Sequence, residues 1–140
     1  MNMKKTVGAM VAGFVLQMGG LFLIHSVWLI QDYMDTASVW RTQEQEQSRM
    51  WAMIAGVLLY VIAAVLIYVR GVEMKSWVGQ GIRFGILLAL VSTVYNSLAL
   101  YVVLPIPHML ALKWMIGEGL LAILFGLLIA VIIQPKTTSA

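Results

Sequence analysis

Glu118 carries the most chemistry of any residue in this chain, because it is a carboxylic acid inside an apolar run, Met109 to Gln134. At about 1.5 Å of helix rise per residue, Gln17, Ser92, Thr93, Asn96 and Glu118 all fall within about 7 Å of the midplane of their respective apolar runs. An acid at the centre of a membrane span costs about 2.5 to 3.5 kcal/mol on insertion scales, so Glu118 is expected to face protein or water rather than lipid. Two readings follow. In one, Glu118 is a proton- or cation-coupled site, with Gln17, Thr93 and Asn96 as hydrogen-bonding neighbours. In the other, a protonated Glu118 bonds across helices to Asn96 or Gln17 and holds the bundle in register, the commoner use of a lone buried acid. Gly117 and Gly119 flank it and would let a neighbouring backbone, or a second copy of the protein, approach closely.

His25 and His108 are the remaining candidates for ligation. His25 lies near the end of the first apolar run and His108 at the start of the last, on the same side, so a metal ion or a bis-histidine haem is conceivable. No surrounding pattern supports either, and the two read more simply as boundary residues; no metal or cofactor is assigned. Lys113 and Arg83 lie within about 8 Å of an interface, within reach of a snorkelling stem. Lys113 and Glu118 point some 140° apart on a helix and are not a natural pair. Asp32 and Asp35 read as polar residues leaving a helix. The ten methionines lack a metal-handling cluster and read as packing. Nothing resembles a nucleophile triad, a phosphate-cradling glycine loop or a paired-carboxylate site, and the chain has no cysteine. No catalytic residue is assigned.

Elements long enough to carry these residues to one level must span a bilayer. Of 140 residues, 61% are hydrophobic and 11% charged, against roughly 45–50% and 25% in soluble domains. Mean hydropathy is +0.92. An aqueous surface cannot be built from so few charges, which excludes secreted enzymes and disordered tails. The net charge of +3 reads as a topology signal, and nucleic acid is not an expected partner. A span needs roughly 20 apolar residues. Four runs qualify, at about 7–30, 50–69, 79–104 and 109–134, in a single membrane domain over 1–140. Lys4, Lys5, Arg70, Lys75, Arg83 and Lys136 oppose Arg41, Arg49 and Lys113, which places both termini in the cytoplasm. The outer loop 31–49 is polar, and Thr36 or Ser38 is placed to cap a helix running from Val39 into the second span. Gly71 is a candidate left-handed stop for the second helix. Pro105 and Pro107 set the last turn-around, and Pro135 ends the fourth helix. Short connections make sequential helices antiparallel neighbours, so the expected fold is an all-α, up-and-down transmembrane four-helix bundle. Gly81 and Gly85 recur at packing spacing.

The stretch Tyr68, Arg70, Gly71, Val72, Glu73, Lys75, Trp77, Gly79, Gln80, Gly81, Arg83, Phe84 and Gly85, with Leu104-Pro105-Ile106-Pro107, resembles a set of small bacterial four-span membrane proteins. That resemblance implies the bacterial inner membrane and supplies no mechanism. Small multidrug transporters have similar length and span number, but carry an essential acid in the first span, where this chain has Gln17. The leading expectation is a non-enzymatic accessory, assembly or interaction subunit. It would contact other membrane subunits or further copies of itself through the outer loop and the glycine-rich start of the third span. The alternative is a homo-oligomeric transporter or channel coupled to protonation of Glu118, and the third is a haem- or metal-binding subunit using His25 and His108.

Overall fold

The computed structural model describes residues 2–134; Pro135 and Lys136, read above as a helix stop and an orienting charge, lie outside them. Every regular element among the described residues is helical. Four helices are long and apolar enough to cross a membrane: Met3–Trp28, Met50–Gly71, Trp77–Val103 and His108–Ile133. The first starts earlier than its apolar run because the Asn2 side chain accepts the Lys5 backbone N–H at 3.3 Å and caps it. The Lys5 Nζ then donates to the Gln134 carbonyl at 2.9 Å, tying the first helix's start to the fourth helix's end. The bundle therefore has a terminal end, holding these residues and the 72–76 turn, and a long-loop end, holding 30–49 and the proline turn 104–107.

The long loop departs from expectation. No helix runs from Val39 into the second span. Trp40 is extended, and its indole donates to Thr36 Oγ1 at 2.8 Å. Thr42 opens a separate helix, Gln43–Gln47, through a capping box with Gln45, and Met50 starts the long helix afresh. The capping box of Thr42 and Gln45 starts the helix at Gln43 rather than at Val39, because the capping residue itself must take an extended backbone. Gly71 is not left-handed either, since no glycine here has positive φ. The turn after it is held instead by Gln80, whose buried side chain accepts from the Glu73 N–H at 2.8 Å and donates to the Glu73 and Lys75 carbonyls at 3.0 Å. In that turn the Lys75 ammonium, 2.5 Å away, holds the Glu73 carboxyl below its usual range by hydrogen bonding and by charge.

Packing is centred on the fourth helix, which lies along the third and against the first; the second rests chiefly on the first. Sequential neighbours are thus close except for the second and third helices, which meet sparsely, where Tyr60 faces Ser92 and where the Tyr68 and Phe84 rings meet edge-on at the terminal end, 5.1 Å between centroids. Glycine explains the close third–fourth contact. A Cβ at Gly85 would sit 2.5 Å from Ile123 Cα, and one at Gly81 2.9 Å from Leu127 Cα, with Gly126 facing both. Gly81 and Gly85 are therefore used inside the chain and offer no face to a partner. A Cβ at Gly119 would meet nothing within 4 Å, whereas Gly117 makes room for the Trp28 ring, 2.8 Å from where its Cβ would be.

The apolar core is split along the fourth helix. One cluster, around Leu29, Ile106, Leu110, Ala111 and Trp114, lies at the long-loop end. The other, around Val61, Val65, Tyr68, Phe125, Ile129 and Ala130, lies toward the terminal end. Glu118 falls between them.

Candidate functional site

A cavity of about 280 Å³ occupies that gap. Gln17, Ser92, Thr93, Asn96 and Glu118 all line it, with Leu21, Gly56, Val57, Tyr60, Leu121 and Ala122 completing the wall. All four long helices contribute. Gln17 and Thr93 are buried at its back, and Ser92 turns its hydroxyl onto the Leu88 carbonyl at 2.6 Å. Asn96 is exposed at its edge. No direct Glu118–Asn96 or Glu118–Gln17 bond forms, so the cross-helix register bond expected of a structural acid is not made to either amide.

Glu118 instead meets His25, Nε2 to Oε1 at 3.3 Å. His25 Nδ1 lies 2.5 Å from the Tyr33 hydroxyl, and Trp114 Nε1 lies 2.7 Å from the same oxygen. The donor inventory orders this chain of contacts. An indole N–H can only donate, so the Tyr33 oxygen accepts from Trp114 and passes its own proton toward Nδ1; the neutral imidazole then carries its proton on Nε2 and donates it to Glu118. Burial pushes the Tyr33 phenol up to about 12, overriding the opposing Trp114 hydrogen bond, so the phenol keeps its proton throughout the neutral range. One helical position away, the Lys113 ammonium holds both Asp32 carboxylate oxygens, at 2.7 and 2.8 Å. Asp32 and Lys113, read from sequence as independent boundary residues, are therefore partners. Together these contacts clamp the segment Ile30–Asp35 to the fourth helix.

Tyr33→Phe is expected to destabilise the protein by about 1 to 3 kcal/mol, because it strands both the Trp114 indole and His25 Nδ1. A lowered melting midpoint in detergent at neutral pH, with helix content unchanged at the start of the melt, is the check. The sign of the pH dependence follows from the raised phenol. Its contribution is complete below the unfolded value of 10.0 and is lost as pH rises toward about 12, so wild type and Tyr33→Phe should converge above pH 10.

Local backbone geometry aims these groups. The first helix widens into a π turn over Leu23–Trp28, where the Leu29 N–H reaches the Ile24 carbonyl at 2.9 Å, and His25 sits on that turn. The third helix does the same over Ala89–Val94, which carries Ser92 and Thr93. π turns are uncommon and concentrate at functional sites because they re-aim side chains without ending the helix. His108 is not brought to His25. His25 is at the level of Glu118, about 15 Å along the fourth helix from His108, so a shared metal ion or haem does not fit.

A second, larger cavity of about 680 Å³ opens at the long-loop end beneath the loop, with His25, Tyr33, Trp40, Arg41, Glu46 and Arg49 in its wall. His25 thus borders this vestibule while its Nε2 engages the carboxylate of the mid-bundle cavity. No family model, characterised protein or solved structure matches the chain, so the functional reading rests on this geometry.

Proposed function

We propose that the protein is a multi-pass protein of the bacterial inner membrane that binds a small cationic solute at mid-bilayer in exchange for a proton, and carries it across. The observation that supports this most is the placement of Glu118. Its carboxylate is the one charged group in the wall of the mid-bundle cavity; the polar neighbours Gln17, Tyr60, Ser92, Thr93 and Asn96 are neutral. A cation with hydrogen-bonding groups is the complement of such a wall, and 280 Å³ is at the small end of ligand sites. The proton exchanged is one taken up by the His25–Glu118 pair beyond the neutral-imidazole arrangement: it makes a resident counter-charge on His25, which offsets the cost of an acid in hydrocarbon, and it leaves when a cation arrives. Cation and proton then compete for one site, which is the elementary requirement for exchange.

The accessory-subunit reading keeps the outer loop as a contact surface but loses Gly81 and Gly85, which are occupied by the fourth helix. Uptake of radiolabelled methylammonium into proteoliposomes under an imposed pH gradient tests the reading; uptake indifferent to the gradient counts against it.

Orientation follows from the basic residues, with both termini and Lys75 cytoplasmic and the vestibule outside. Single cysteines are clean reporters here because the chain has none of its own. In intact cells a membrane-impermeant thiol reagent is expected to label Glu44→Cys and spare Lys75→Cys. Labelling of Lys75→Cys alone would invert the topology.

A further inference from the structure

The cavity has a side opening. The first helix packs on the second and fourth, and the third on the fourth, whereas the second and third meet sparsely, at Tyr68–Phe84 and where Tyr60 faces Ser92, one turn below Gly56 and Asn96. In cross-section the four helices form an open ring whose gap lies between the second and third, and the cavity is lined from both sides of that gap. Two residues mark its rim. Gly56, on the second helix, is exposed and has nothing within 4 Å of where a Cβ would stand. Asn96, on the third, is an exposed amide with no side-chain hydrogen bond among the described residues.

Depth makes these two informative. Each lies about 9 to 11 Å inside its helix's long-loop end, at the level of acyl chains if the helices span a bilayer. A lipid-facing amide there has no water to bond, and leaving it unsatisfied is costly. A glycine opposite it leaves the gap unfilled.

We infer that solute enters laterally from the outer leaflet through this gap, and that the substrates are cationic amphiphiles. The inference rests on the cavity being a cation site. The ammonium head reaches Glu118 and Asn96, while the apolar body, too large for a 280 Å³ cavity, stays in the gap beside Val57 and Gly56. The neutral polar back wall of Gln17 and Thr93 receives the head, and the lipid-exposed rim receives the tail.

The test uses dodecylammonium carrying a diazirine on its alkyl chain close to the ammonium, photolysed with the full-length protein in lipid nanodiscs and mapped by mass spectrometry. Adducts are expected on the second and third helices around Val57 and Asn96, falling about tenfold in Glu118→Gln, which loses the charged hydrogen bond to the head. Gly56→Leu, whose side chain has open space to enter, should leave the melting midpoint in place and suppress the same adducts. Adducts on Met34, Met50 or Met53 of the vestibule with Gly56→Leu indifferent would show an aqueous route and overturn the inference. Adducts undiminished in Glu118→Gln would overturn it too, as a tail resting on a lipid-facing surface. Proton release on adding methylammonium separates the two levels: release that depends on Glu118 without gap adducts leaves the cation site standing and removes the lateral route. No release with any cation removes both.

Discussion

Glu118→Gln is expected to weaken cation binding by about 1.5 to 3 kcal/mol, roughly 10- to 150-fold, while leaving the fold in place. The amide keeps a donor and an acceptor for His25 but carries no charge for the solute and cannot titrate. The pH dependence carries more information than the affinity. In wild type, cation and proton compete for one site, so affinity should rise with pH. In Glu118→Gln the same profile should be flat. Isothermal titration with methylammonium across a pH series measures both, and a variant that binds as tightly as wild type with the same slope would remove Glu118 from the site.

The second large effect concerns the scaffold. Gly85→Leu should prevent the bundle from forming, because even a Cβ there would stand 2.5 Å from Ile123 Cα and 2.7 Å from the Ala122 carbonyl oxygen, both backbone atoms that no rotamer change can move. Overpacking a well-fitted core typically costs about 1 to 3 kcal/mol when side chains can shift; here the helices themselves must separate, so the cost is expected at or above the top of that range. Gly8→Ala supplies the contrast. Nothing lies within 4 Å of its Cβ position, and alanine is the better helix former. Thermal melts in one detergent should show Gly85→Leu aggregated or melting far below wild type, and Gly8→Ala at or slightly above it. Equal behaviour of the two would contradict the close third–fourth contact.

These expectations show where the sequence was informative. Length and hydropathy place the four helices to within a few residues, because a run such as Gly56 to Val69 admits no other element. Depth counting groups Gln17, Ser92, Thr93, Asn96 and Glu118 at one level, and the structure puts all of them in one cavity wall. The same counting misses His25, Tyr33, Trp114, Asp32 and Lys113 as a connected set. Their pairing depends on a π turn at Leu23–Trp28 that rotates His25 relative to a regular helix, and no local residue pattern announces that turn. The gap between the second and third helices was equally hidden, since a short connection implies neighbours and says nothing about how far they splay.

Proton counting on cation binding tests the exchange reading most directly. Methylammonium added to the purified protein in weakly buffered detergent, with a pH-indicating dye, reports release while calorimetry under the same conditions reports occupancy. The expected result is up to one proton released per cation bound in wild type and none in Glu118→Gln. Binding without release, or release that persists in Glu118→Gln, would contradict it.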